Sequence, residues 1–263
     1  MTDMDHREAG NFIRDDLRLK TFPVAAKFLK EGDPFPEKAR RPAEGMGKRI
    51  AICQGVTMAR IYGWTVGLAR EDVICTPAAI AFGFSDSENP PGSLAELFTE
   101  VRFCETAESA AKETASMHHF EGGEIQGIVL TPLEKAGFSP DTALIYGNPA
   151  QMMRLAQAWS YVSGDRVEGQ FGGKVECDEY LIAPFRSGSP RMVIPGQGER
   201  IFAMTQDDEM AFALPGAALA ELARGLKEAA KPIGARYPVT PYQNFEPDFP
   251  KAHKELGKRL GVL

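Results

Sequence analysis

Apolar positions recur at helical spacing at Ala9, Phe12, Ile13 and Leu17, so the chain is expected to open with a helix. Residues 24–29 follow Pro23 and read as a short strand. Residues 31–48 scatter Pro34, Pro36 and Pro42 among charges and read as a surface loop. A helix over 52–62 ends at Gly63, 64–68 reads as a strand, and a short helix follows Cys75. With Pro90, Pro91 and Gly92, residues 84–100 read as another loop, and 106–117 as a helix with a polar face. Strands are predicted at 125–130 and 143–146, and Pro149 opens a helix to about residue 161 whose buried stripe is Met152, Leu155, Ala156 and Trp159. A strand at 167–171, a turn at Gly172-Gly173 and a helix after Cys177 come next. Strands at 192–194 and 210–214 precede a helix opened by Pro215, with Leu219, Leu222, Ala223 and Leu226 on one face. The tail from Lys231 is rich in proline and aromatics, with a helix over 250–260, and is expected to wrap the domain or a partner.

Two echoes run through this pattern. Residues 53–83 resemble 150–185, which sets Gln54 against Gln151, Trp64 against Tyr161 and Cys75 against Cys177. Residues 128–159 resemble 192–226 in the same way. Together they predict a duplicated unit about a pseudo-two-fold axis, with both cysteine-led helices near it. Thr76 and Asp178 are the expected N-caps of those helices.

Composition narrows the class. The 263 residues can bury a sizeable core. A net charge of -6 argues against a nucleic-acid partner. No apolar run approaches the ~18 residues of a membrane span, and the polar, acidic N-terminus has no secretory core, so a cytoplasmic location is expected. Four scattered cysteines are then reduced thiols or ligands, not a disulfide framework.

Cys75 and Cys177 carry the main chemical expectation. A cysteine at a helix N-terminus sits in a positive field that favours the thiolate, which is both nucleophile and metal ligand. Two such sulfurs across an axis make a soft site suited to iron–sulfur or zinc, with Cys53 as a third ligand. Burial as small apolar residues is the competing reading. The cysteines fall 22, 29 and 73 residues apart, which matches no zinc-finger or ferredoxin spacing. Cys104 has no echo and reads as structural or exposed. His118-His119 reads as a solvated loop, and Asp207-Asp208-Glu209 as a charged turn. Gly147-Asn148-Pro149 and Leu214-Pro215-Gly216 could each offer N–H groups to an anion. The glycine-rich turn around Gly198, ending at Arg200, is the better anion site, and implies a small anionic ligand.

The chain resembles an uncharacterised bacterial and archaeal family, domain-of-unknown-function family one hundred and sixty-nine, from about Pro23 to Lys227. The resemblance is carried by Pro23–Phe28, Cys53-Gln54, Asp72–Ala78, Pro132–Ala136, Gly147-Asn148-Pro149 and Asp207–Met210. It implies that Cys53, Cys75 and Cys177 fall on recurrent cysteines. It also implies a fourth in a Gly-Cys-x-Gly-x-Arg turn, where this chain has Gly196.

The expected fold is one α/β domain over residues 1–230, with α+β as the alternative, built from pseudo-repeats at about 23–140 and 141–230, and followed by an extension over 231–263. Three functional readings stand side by side. They are a thiolate cofactor site, iron–sulfur or another soft metal, serving redox or substrate activation; a non-catalytic ligand- or metal-binding protein; and an interaction module with inert thiols.

Overall fold

The computed structural model describes residues 4–232, 234–240, 243 and 247–263. In chain order the first half is α1 (His6–Leu17), β1 (Val24–Leu29), α2 (Pro42–Met46), α3 (Ile52–Arg60), β2 (Val66–Ala69), α4 (Thr76–Ala81), α5 (Pro90–Glu100), α6 (Ala107–Thr114) and β3 (Gly127–Pro132). The second half is β4 (Thr142–Gly147), α7 (Pro149–Ser163), a π-helical turn (Asp178–Ile182), α8 (Ala183–Ser187), β5 (Arg191–Val193), α9 (Gln197–Phe202), β6 (Met210–Pro215), α10 (Leu219–Ala229) and α11 (Lys251–Arg259). The strands form one antiparallel sheet in the order β2-β3-β1-β4-β6-β5, and helices cover both faces. This is an α/β domain, as expected.

Alternate residues of a strand face opposite ways, and here both sides are apolar. On β4, Leu144 and Tyr146 enter one core while Ala143 and Ile145 enter the other. On β6, Ala211 and Ala213 oppose Phe212 and Leu214. The first core is closed by α3, α4 and the π-helical turn, the second by α1, α7 and α10. Segments 31–48 and 84–100 are more helical than expected. Pro42 opens α2, and Asn89 caps α5 by accepting from the Gly92 N–H. A proline pair at a helix start costs no intrahelical hydrogen bond, and Leu94 and Phe98 then bury one face. Residues 167–171 make only an isolated bridge, Glu168 to Arg191. Gly147-Asn148-Pro149 is a helix start closed on itself: the Asn148 side chain accepts from the Gln151 N–H, and the Gln151 side chain accepts from the Asn148 N–H.

The duplicated unit is matched in strand order but not in three dimensions. Read outwards from the central pair, one half runs β1, β3, β2 and the other β4, β6, β5. Yet α3 packs on the first core and α7 on the second. A two-fold axis normal to the sheet would keep both on one face. Cys75 follows the second strand of its half, whereas Cys177 precedes it; the residue that follows β5 at a helix start is Gly196.

In the extension, Tyr237 packs on the second core and its hydroxyl accepts from Asn148 Nδ2 at 2.9 Å. Helix α11 buries no residue. No helix among the described residues is long and apolar enough to cross a membrane.

Helices α7 and α10 meet backbone to backbone at Gly225, where a Cβ would lie 2.2 Å from the Ala158 carbonyl oxygen. Gly225→Ala should therefore destabilise the protein by ~1–3 kcal/mol despite alanine's better helix propensity. Urea unfolding checks this, and an unchanged or raised midpoint would show that the two helices can part freely.

Candidate functional site

Four chain segments are stitched together on the first core. The segment before α3 lies beside the one before α4: the Ile50 N–H donates to the Asp72 carbonyl at 2.7 Å, and the Ile74 N–H to the Ile50 carbonyl at 3.0 Å. This bridge brings Cys53, in the first turn of α3, beside Cys75. Asp72 itself is fully buried and accepts from the N–H groups of Ala43 and Ala69 and from Arg41 Nε. The π-helical turn behind Cys177 is tied to the sheet by the Thr142 hydroxyl, which donates to the Leu181 carbonyl at 3.0 Å. Helix α9 is joined to the loop before Cys177 by the Gln197 N–H, which donates to the Gly173 carbonyl at 2.9 Å.

The result is a cavity of about 430 Å³ on which Cys53, Cys75 and Cys177 converge. Ile52, Pro77, Ala78 and Val175 supply apolar wall, and Phe103, Ile201 and Phe202 stand exposed at the mouth. Glu176, Glu199 and Tyr180 supply the polar wall. A larger hollow of about 720 Å³ beside Arg70 and Asp86 is a surface cleft without a cysteine.

Burial, not the helix termini, decides the state of the thiols. Cys75 and Cys177 themselves occupy the N-cap positions expected for Thr76 and Asp178, and neither makes a side-chain cap. Desolvation pushes Cys53 up to about 12, helped by Glu199 and Cys75. It also raises Cys75, and lifts Cys177 well above the ordinary range, with Cys75, Asp178 and Cys53 adding to the effect. The expected thiolates are thus neutral thiols, because an N-terminal field is a fraction of a charge and loses to an apolar wall.

Two carboxyls share the cavity. Glu199 accepts from the Tyr146 hydroxyl at 2.6 Å and from the Gly196 N–H at 2.9 Å, and burial raises its pKa. Glu176 accepts from the N–H groups of Gly172, Gly173 and Lys174, yet burial still lifts it to about 7. Behind them Arg60 is buried, stacks on the Tyr146 ring at 4.1 Å and pairs through both terminal nitrogens with Glu209. Glu209 is therefore a buried counter-ion and not part of a charged surface turn.

Gly198 lines the cavity as expected, but Arg200 does not. Its guanidinium donates to the carbonyls of Gln206 and Glu209. On helix α9 it is the preceding residue, Glu199, that faces inward. A Cβ at Gly196 would lie 3.0 Å from the Gly173 oxygen and 3.2 Å from Glu176 Cγ, so a side chain here would be crowded by the Gly173 carbonyl and by Glu176. Lys174, the basic residue on the wall, is held by Glu113 and the Phe103 carbonyl. Cys104 lies outside the cavity and donates to Glu113. His119 pairs with Glu121, and the His118 backbone N–H donates to Asp178; neither histidine lines the cavity.

Among the described residues no three His, Cys, Asp or Glu side chains stand in a metal-holding group. The three sulfurs are nevertheless donors of the kind a soft cation takes, and the two carboxyls are harder donors on the same cavity.

The sequence profile of a family described as uncharacterised ArCR matches residues 13–225. An uncharacterised protein of Methanocaldococcus jannaschii is 27% identical over 224 residues, covering 84% of this chain and 93% of that protein. No solved structure matches the chain.

Glu176 gives the site a pH signature. Its folded pKa of about 7 exceeds the ordinary 4.5, so the folded state keeps a proton that the unfolded chain releases. That contribution to stability is full below about pH 4.5 and is lost as pH rises through about 7. Glu176→Gln should flatten the fall of the denaturation midpoint across this window. An identical slope in both proteins would mean that Glu176 titrates normally.

Proposed function

The chain belongs to the DUF169 family, and on that premise we propose that the cysteine cavity is its working site and holds a soft metal centre, an iron–sulfur cluster or another thiophilic metal. One observation carries this reading: Cys53, Cys75 and Cys177, from three distant stretches of chain, line the same cavity. In this reading those three sulfurs are the ligands. Each arrives as a buried thiol, so ligation releases protons. Glu199, steadied by Tyr146 and the Gly196 N–H, stands where it acts on Cys53 and Cys177. The apolar wall and the three aromatic or aliphatic side chains at the mouth leave the sulfurs only partly open to solvent. A bound centre of this kind supplies electron transfer or Lewis acidity.

A second reading, a protein that binds a small molecule without chemistry, is favoured by the same apolar wall and by a volume within the range of organic-ligand pockets.

Anaerobic purification with iron, sulfide and zinc analysis separates the two. A centre should be present and absorb in the visible if iron-based. It should be lost in Cys53→Ser, Cys75→Ser and Cys177→Ser, and kept in Cys104→Ser. Wild-type protein free of metal after both iron–sulfide reconstitution and zinc addition, or metal retained in all three serine variants, would overturn the proposal.

A further inference from the structure

Outside the cysteine cavity, one thiol stands between a base and an amine. Cys104 is partly exposed, and its Sγ donates to Glu113 Oε2 at 3.0 Å. Lys174 Nζ lies 3.9 Å from that sulfur and donates to the same Glu113 oxygen at 2.7 Å. Three segments meet in this contact: the turn after α5, helix α6 and the loop before Cys177. The backbone on each side is held. The N–H groups of Phe103 and Cys104 donate to the Phe98 carbonyl, and Gly173, next to Lys174, accepts from the Gln197 N–H. The lysine stem reaches over the Phe98 ring, with Nζ 5.4 Å from its centroid.

The chemistry follows from these three groups. Oxidation of a cysteine needs the thiolate and access for the oxidant. The Glu113 hydrogen bond raises the resting thiol above its ordinary range and Lys174 opposes it, so the proton leaves only as the oxidant arrives. Glu113 is placed to take that proton, and Lys174 to stabilise the sulfur anion left behind. Hydrogen peroxide then gives one oxygen to Sγ. The O–O bond breaks, the S–O bond forms, and the leaving hydroxide takes the proton from Glu113 and departs as water. A sulfenic acid condenses with a thiol or a nitrogen within reach. Cys75 and Cys177 pack on the first core, whereas Cys104 packs on a separate cluster with Leu94, Phe98 and Ala110. The group beside the sulfur is the Lys174 amine, and its flexible four-carbon stem can close the gap by side-chain torsions.

We propose that Cys104 and Lys174 form a peroxide-sensitive covalent latch, a sulfenamide that joins Sγ to Nζ. In the second step the Lys174 nitrogen attacks the sulfenic sulfur with its lone pair. The S–N bond forms and the S–O bond breaks. The hydroxide leaves as water with one of the two protons that the ammonium sheds, and the other passes through Glu113 to solvent. Overall, sulfur loses two electrons, the peroxide gains two, and nitrogen keeps its oxidation state. The latch reaches the cavity, because Phe103, one residue before Cys104, stands at its mouth and Lys174 lines its wall. A bond between the two segments ties mouth to wall in answer to an oxidant, without consuming the three thiols inside. It goes beyond the metal reading and does not depend on it.

Reduced full-length protein, treated with hydrogen peroxide and digested with trypsin without reductant, can be mapped by mass spectrometry. The expected product is the Cys104 peptide joined to the peptide that carries Lys174. It should be two hydrogens lighter than the sum of its parts, uncut after Lys174, and separated again by dithiothreitol. Lys174→Arg keeps the charge but removes the reacting amine. It should abolish the joined peptide and leave Cys104 as a sulfenic acid that dimedone labels. Three results in the wild-type protein would each overturn the proposal: a dimedone-labelled Cys104 with no joined peptide, Cys104 paired with another cysteine, or Cys104 untouched by peroxide. The wild-type map decides the matter even where Lys174→Arg does not fold. Metal analysis of the same samples keeps the two readings apart. A joined peptide in protein that stays metal-free after reconstitution counts against the metal centre alone. Metal-loaded protein with no joined peptide counts against the latch alone.

Discussion

Everything at the site depends on the two hydrogen bonds that lay Ile50 beside Asp72 and Ile74. They join the entrance of α3 to the entrance of α4, and so set Cys53 against Cys75 across a stretch of chain that includes a whole strand. Buried Asp72 keeps the far side of that junction in place, with two backbone N–H groups and Arg41 converging on its carboxylate. An unmade bond here would leave buried polar groups unpaired, which costs more than a typical hydrogen bond contributes. Helix α9 closes the other side through Gln197 and Gly173, which brings Glu199 and the loop before Cys177 into the same space.

The electrostatic character follows from what this frame excludes. The thiols stand against apolar wall, and burial keeps them protonated. Arg60, the buried cation behind the wall, pairs through its terminal nitrogens with Glu209 and stacks on the face of Tyr146. It orders Tyr146, and through it Glu199, without lending its charge to the sulfurs. A site of this kind is quiet until something arrives that prefers sulfur or fills apolar space. The metal and small-molecule readings differ in what arrives, not in how the cavity is built.

Much of this was legible in the residues. Strands β1, β4 and β6 and helices α7 and α10 stand close to where periodicity and proline placed them, because each has an apolar stripe or run that tertiary packing reinforces. The meeting of Cys53, Cys75 and Cys177 was also anticipated, although the route was not, since the repeat that suggested it fails when α3 and α7 take opposite faces. Helix α5 was hidden because Pro90-Pro91 reads as a loop unless Asn89 is recognised as its cap. Glu199 was hidden between two more conspicuous neighbours, Gly198 and Arg200. Only the rotation of α9 decides which of them faces the thiols, and a six-residue helix carries too little periodicity to reveal it. Arg60 and Glu209 lie far apart in sequence, and nothing local marks either as buried. The state of the thiols is not legible in sequence for a related reason: a helix terminus is visible there, while the apolar wall that outweighs it is assembled from several segments.

The convergence of the three cysteines can be tested without assuming any natural ligand. Trivalent arsenic bonds up to three thiols and releases one water for each As–OH replaced, so it reports sulfurs that can reach one another. Reduced, metal-free protein would receive one equivalent of arsenite. Unfolding in the presence of excess maleimide and peptide mapping of the label would follow. The structure predicts label on Cys104 alone, with Cys53, Cys75 and Cys177 protected together. Full labelling of all four cysteines, or protection of Cys104 in place of one of the three, would contradict it.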